Sequence, residues 1–166
     1  MIRAVLVAFL ISMNLCAGRA LLECTADTAA DLVRKTASGK ARELQAGGKG
    51  RVVLLDFRTA VIEGWIVEKA TLLLHIAGGA VPPKLEIAAA SFPWSESENG
   101  VHAVGSTKFH AFDVRESKFG WIEIDASPDL LRGRGLIVRI PGNSETVFHS
   151  RETVQHSPYL IVEGSK

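Results

Sequence analysis

Apolar and polar residues alternate along most of this chain. The segment 51–57 (RVVLLDF) sets Val53, Leu55 and Phe57 on one side. In 70–76 (ATLLLHI), Ala70, Leu72, Leu74 and Ile76 share a side, with Thr71, Leu73 and His75 opposite. Gly78-Gly79 and Pro82-Pro83 then punctuate the chain before 84–92 (KLEIAAASF), where Leu85 and Ile87 face one way and Lys84 and Glu86 the other. Further short apolar stretches follow at 109–114, 120–125, 135–140 and 159–163. A period of two marks strands with one buried face. Six or more such strands, separated by turn residues and without long helical crossovers, predict an all-β sandwich or barrel rather than a parallel sheet.

One short helix is expected near 128–132. Ser127 stands at the cap, Pro128 at the first helical position and Asp129 in the first turn. Leu130 and Leu131 would pack it down, and Arg132-Gly133 would end it. The segment 25–48 is ambiguous. Its alanines, Leu32, Val33 and Leu44 tolerate a helix, but Gly39 argues against a single long one. The longest loop, 94–108, is rich in Ser, Glu, Asn and Gly.

The N-terminus has a different texture. Arg3 is followed by an unbroken apolar run at 4–11 and then by Ala17-Gly18-Arg19-Ala20. Basic, apolar and small residues in that order predict a secretory signal over 1–20, cut after Ala20 or, second, after Ala17. The run is short for an uncleaved anchor, since a span needs roughly 20 apolar residues. Leu15 and Glu23 precede Cys16 and Cys24, where a lipoprotein site has a small residue. Removing 1–20 takes away Arg3 and Arg19, so the 19 cations of the whole chain become 17 against 18 acids. No basic stripe remains for nucleic acid. Cys24 is then alone and closes no internal disulfide, so the core must hold the domain. About 146 residues suffice, burying roughly 68–70% of their unfolded surface.

The order of short motifs resembles the DNRLRE-type domain, a jelly-roll family related to carbohydrate-binding modules, over 24–164. Ala26-Asp27-Thr28 is similar to its opening, and Leu54-Leu55-Asp56-Phe57 to a Leu-Leu-Arg-Phe strand. Residues 67–74 resemble its Ser-Ala-Thr-Leu-x-Leu strand, and Trp94-Ser95-Glu96 its Trp-Ser-Glu motif. Trp121 with Asp125 matches a strand ahead of the short helix. Ser150-Arg151-Glu152 followed by Pro158-Tyr159-Leu160 resembles the closing signature. The chain departs from the family at Asp56 (an arginine there), after Glu96 (Thr-Trp there) and at Ser157 (an arginine there). The resemblance implies a jelly-roll β-sandwich of two antiparallel sheets with a short helix near 128–132. It also implies secreted, non-catalytic binding of polysaccharide, including acidic, alginate-like polymers. The alternative is a structural or adhesive cell-envelope domain that binds protein partners. No membrane span is expected in the mature chain.

Within that frame, 147–164 reads as a polar clasp on the last strand. Arg151 can fork onto a carboxylate or onto loop carbonyls, and the charge exchanged at Asp56 makes Asp56 the expected partner. Ser150, His149 and Glu152 do not read as a catalytic triad. Neighbours on a strand point to opposite sides, and no nucleophile elbow is present. His102 and His110 are eight apart, and His149 and His156 seven apart; neither is a zinc spacing of one helical turn. By analogy with jelly-roll modules, a structural calcium is considered at Asp27, Asp31 and Glu152. For sugar, Trp65 is the exposed aromatic candidate, with Lys84, Arg139 and Lys108 able to meet an acidic group. Trp94 and Trp121 are expected in the core.

Overall fold

The computed structural model describes residues 17–48, 50–96, 101–104 and 107–166. The apolar run of the expected leader lies outside them. Twelve strands carry the described chain: β1 Ala17–Asp31, β2 Thr36–Ala37, β3 Glu43–Gly47, β4 Arg51–Phe57, β5 Ile66–Gly79 and β6 Lys84–Ala89. The others are β7 His110–Asp113, β8 Arg115–Glu116, β9 Trp121–Ala126, β10 Leu136–Arg139, β11 Glu145–His149 and β12 Tyr159–Ser165. The chain is all-β, as the alternation predicts. The helix expected near 128 is present as a 3₁₀ turn, Pro128–Arg132. Ser127 enters it through its carbonyl, which accepts from Leu130 N at 3.0 Å, while its side chain makes no cap hydrogen bond. The ambiguous 25–48 segment is strand and turn, not helix.

All the pairings are antiparallel, and they fall into two arrays. One runs β8–β9–β5–β12–β1 and the other β7–β6–β10–β4–β1. β1 belongs to both, because Ala17–Glu23 pair with β12 and Cys24–Asp31 with β4 across an irregularity at Cys24 and Ala26. β5 also serves twice, meeting β12 and β9 in its first part and β11 beyond Ile76. With β11 on β3 and β3 touching β4 at Gly47–Arg51, six strands close into a ring: β1–β12–β5–β11–β3–β4. The expected pair of separate stacked sheets is therefore corrected in one respect. The ladder is continuous around the core, which removes the free edges that two open sheets would leave there.

Alternation places Leu72, Leu74, Ile122, Ile124, Leu160 and Val162 from the first array against Val53, Leu55, Leu85, Ile87, Leu136 and Val138 from the second. Each is at most 1% exposed, so this is the main core. Val52 and Leu54 point the other way on β4. With Ala30 and Ile137 they form a second cluster, covered by Ala90, Trp94, Phe109 and Val104 of the short helix Val101–Val104. Trp94 and Val104, from the stretch expected as a polar loop, thus lie on the outside of the second array. The outside of the first array has no comparable apolar covering among the described residues. No described helix is long and apolar enough to cross a membrane.

Candidate functional site

The C-terminal turn after β11 is built as an ionic knot. Ser150 is buried, its N–H donates to Arg42 O at 2.9 Å, and its hydroxyl accepts from Glu152 N at 3.1 Å. That hydroxyl is committed to the backbone. Arg151 donates from its backbone N–H to Asp27 Oδ2 at 2.5 Å. Its guanidinium forks onto Glu96, Nε to Oε1 at 2.7 Å and Nη2 to Oε2 at 2.9 Å, and Glu152 Oε1 lies 3.3 Å from Nη2. Glu96 Oε1 also accepts from Asp27 N at 2.9 Å, which ties the loop after β6 to β1 and to the final turn.

Electrostatics follow from this packing. Hydrogen bonds from Arg151 lower the Glu96 pKa. Burial, with Glu96 and Glu152 nearby, raises Asp27 to about 6 against the pull of the Arg151 N–H and guanidinium. Burial also pushes the Cys24 thiol far up, so this lone cysteine is a poor nucleophile. The expected partnership of Asp56 with Arg151 is corrected. Asp56 Oδ1 accepts from its own neighbour Phe57 N at 2.9 Å, and Glu96 takes the arginine.

The three carboxylates considered for calcium have other partners. Asp31 is used in a turn, accepting from Val33 N and Arg34 N at 3.0 and 2.9 Å, with Arg34 and Arg51 near its other oxygen. It lies four residues along an extended strand from Asp27, roughly 13 Å away. Between Asp27 and Glu152 sits the Arg151 cation, which already supplies the positive charge. Among the described residues these three carboxylates do not form a metal-sized group.

The four sugar candidates are not gathered into one place. Lys84 pairs with Asp113 at 3.4 Å, and Arg139 pairs with Glu86 at 2.5 Å while lying 3.9 Å over the Phe109 ring. Lys108 adjoins Phe109 ahead of β7, so these three cations belong to the β6–β7–β10 end of the second array. Trp65 stands apart ahead of β5. Its ring lies against Gly18 of β1, where an added Cβ would come within 2.6 Å. With Ile66, Val67, Pro128, Leu131 and Arg132 it lines a groove of about 380 Å³.

The open face is the outside of the first array. Trp121, Glu123 and Asp125 of β9 alternate with the buried Ile122 and Ile124. Trp121, expected in the core, is instead half-buried on the outer face. Tyr159 of β12 lies beside it, ring centroids 5.2 Å apart at 66°. Leu73 stands opposite both Tyr159 and Glu123, and Ile161 carries the apolar row toward Leu21, which is 56% exposed. Charges border the row. Arg115 reaches Asp125 at 3.0 Å and Glu123 at 3.5 Å, Lys69 reaches Asp125 at 3.8 Å, and Thr71 Oγ1 donates to Asp125 Oδ1 at 2.9 Å.

At one end of this face are three histidines that the sequence spacing does not reveal. His75 projects from β5 opposite Trp121, with ring centroids 5.1 Å apart at 86°. The register Phe148–Ile76 brings His149, at the end of β11, beside it. The 3₁₀ turn Val154–His156 returns His156 onto both. His75 and His156 stack at 3.8 Å and 28°, and His149 is 5.0 Å from each of the other two rings. One nitrogen from each ring lies within 4.8 Å of the others. Burial, then the neighbouring His156, lowers the His75 pKa below its ordinary value, favouring neutral imidazole. The only signal in the sequence is His75 interrupting an apolar strand; its partners are 74 and 81 positions away. His102 and His110 do not join this group: His102 Nε2 meets Pro93 O at 2.9 Å, and His110 lies on β7.

Comparison of the chain with protein-family models and with curated proteins finds no match.

Proposed function

We propose that this chain is a secreted, non-catalytic polysaccharide-binding domain, and that it binds along the outer face of the first array. The carrying observation is the half-buried Trp121–Tyr159 pair on an outward sheet face bordered by Arg115, Glu123, Asp125 and Lys69. Sugar rings present apolar faces that lie on aromatic rings, while hydroxyls meet charged and polar groups at the border. The motif resemblance to DNRLRE-type domains supports the same class. On this reading the two arrays are the two layers of a jelly-roll sandwich, stitched together where β1 and β5 pass through both. Acidic polymers meet Arg115 and Lys69, each already shared with an acid, so neutral and uronate-containing chains are both to be tried.

Affinity electrophoresis through gels containing neutral or uronate polysaccharides tests the proposal. Retardation by at least one polymer is expected, with Trp121→Ala and Tyr159→Ala each weakening it about tenfold or more, as loss of an anchoring aromatic does. Circular dichroism confirms that the variants fold. Absence of retardation on every polymer, or retardation indifferent to both variants, sinks it. A second reading, an envelope domain that binds protein, is favoured by Leu21 and Ile66, which are 56% and 66% exposed at the rim of the same array.

A further inference from the structure

We propose that His75, His149 and His156 form a binding site for a late first-row divalent metal ion of the zinc and copper class. The inference does not depend on the polysaccharide reading, and three features of the cluster carry it.

The first is the donor set. Three imidazoles with no carboxylate among them suit Zn²⁺ and Cu²⁺ and do not suit Ca²⁺ or Mg²⁺, which take oxygen ligands. Tetrahedral zinc holds nitrogens at about 2.0–2.1 Å from the metal, hence about 3.4 Å from one another. The three rings already bring their nitrogens inside 4.8 Å, and because His75 and His156 stack face to face, one of the two must turn about its side-chain bonds for both in-plane lone pairs to meet one ion.

The second is an unmet need. Nδ1 of His149 is shielded from solvent and has no hydrogen-bond partner, and Nδ1 of His75, equally shielded, makes no well-formed hydrogen bond, the backbone of its own neighbour Ile76 being the other group that acts on the ring. A buried polar atom without a partner costs on the order of 1–3 kcal/mol, and two such nitrogens in one cluster point to a missing occupant. Trp121 flanks the group, its ring 5.1 Å from that of His75 and 6.2 Å from that of His156, so a cation there is partly shielded from water.

The third is the support behind His75. Its Nε2 lies 2.8 Å from the Phe119 carbonyl oxygen. A carbonyl only accepts, so Nε2 carries the hydrogen and Nδ1 keeps its lone pair free. Holding the far N–H of an imidazole on a backbone carbonyl is how ligating histidines are commonly oriented. The turn that supplies this carbonyl is strained to do it. Phe119, 89% exposed, sits at φ +59°, and Gly120 follows at φ +82°. A Cβ on Gly120 would come within 3.2 Å of the His75 ring. Nothing in the packing of Phe119 repays that strain, whereas fixing the ring of His75 does.

A metal here would join β5, the end of β11 and the turn leading into β12. Those three elements meet where the ring of strands passes from β12 to β11 along β5.

The test uses the tag-free protein, stripped with chelator and titrated separately with Zn²⁺, Cu²⁺, Co²⁺ and Ca²⁺ in a calorimeter. Zn²⁺ and Cu²⁺ are expected to bind at one ion per chain with micromolar or tighter affinity, to raise the melting temperature in proportion to free metal, and Ca²⁺ to do neither. Cu²⁺ should bind more tightly than Zn²⁺. Electron paramagnetic resonance of the copper form should show nitrogen ligation. His75→Ala, His149→Ala and His156→Ala should each weaken Zn²⁺ at least a hundredfold, while His110→Ala leaves it unchanged. Gly120→Ala keeps all three ligands yet displaces the His75 ring, and should weaken binding about tenfold. If a histidine variant fails to fold, the copper spectrum of the unaltered protein decides. Oxygen-only ligation, a stoichiometry well below one, or affinity unchanged by His75→Ala overturns the site.

Discussion

Arg151 holds the C-terminal turn through a planar fork that lysine cannot reproduce. Its two N–H groups meet both oxygens of Glu96, whose side chain is largely buried. Arg151→Lys should therefore cost about 1–3 kcal/mol in urea melts, although the charge is kept. A double-mutant cycle with Glu96→Gln should give a coupling of about 1 kcal/mol or more, and a coupling near zero would show the fork to be ornamental. Asp27 behaves differently. Its folded value of about 6 stands above the ordinary 3.8, so the native state holds the proton more tightly than the unfolded chain. The stability that this contributes is full below about pH 4 and is lost as pH rises through 6. Between pH 4.5 and 7 the unaltered protein should lose on the order of 2 kcal/mol that Asp27→Asn does not lose. Glu96, whose value is lowered, gains stability as pH rises through the bottom of that window, but it is present in both proteins and drops out of their difference. Thermal melts at the two pH values check this, and parallel curves for both proteins would refute it. Asp27, Glu96 and Arg151 were visible as motif residues, but their partnership was not. Asp56 looked like the complement of Arg151 by charge alone, and only the path of the loop after β6 decides for Glu96.

At the scale of elements, legibility followed burial. β5, β6, β9 and β12 each turn one face to the main core, so their period of two is plain, whereas β4 is buried on both faces and its run is nearly all apolar. β1 was hidden. Its first residues have the composition of a leader's end, and Thr25–Asp31 (TADTAAD) is rich in alanine, which favours helix in isolation. Pairing with β12 and β4 overrides that propensity. The passage of β5 from β12 to β11 was likewise unreadable, although its marker, Gly78-Gly79, was seen as a break. Gly79 sits at φ +83°, and a Cβ there would lie 2.7 Å from Glu145 O of β11. Gly142 has nearly the same backbone, φ +80°, with nothing within 4 Å. Gly142→Ala should thus cost only the left-handed conformation, about 1–2 kcal/mol. Gly79→Ala adds a backbone collision and should cost at least about 1 kcal/mol more, since the two strands must part to relieve it. Equal losses in denaturant titrations would mean that the β5–β11 junction is looser than its geometry states.

The whole molecule is a ring in which β1 is the shared strand, and this sets what a leader cut would do. The all-β class was legible because many strands point to it independently. Closure was not, because it depends on registers between segments distant in sequence, as does the meeting of His75 with His149 and His156. The leader reading places a cut after Ala20, yet Ala17–Ala20 pair with Val162–Ser165. These four residues lie on only one edge of β12; its other edge is held by β5 throughout. A chain beginning at Leu21 should consequently still fold. It should be less stable than one beginning at Ala17 by on the order of 1–2 kcal/mol, because Trp65 loses the cover of Gly18. Acrylamide quenching reads that exposure directly: the shorter chain should show one more accessible tryptophan, and Trp65→Phe should abolish the difference. If the shorter chain fails to fold, the first residues of β1 are part of the ring itself and a cut after Ala20 is ruled out. If it folds with quenching unchanged, Trp65 does not rest on β1, and the groove it lines is open in either form.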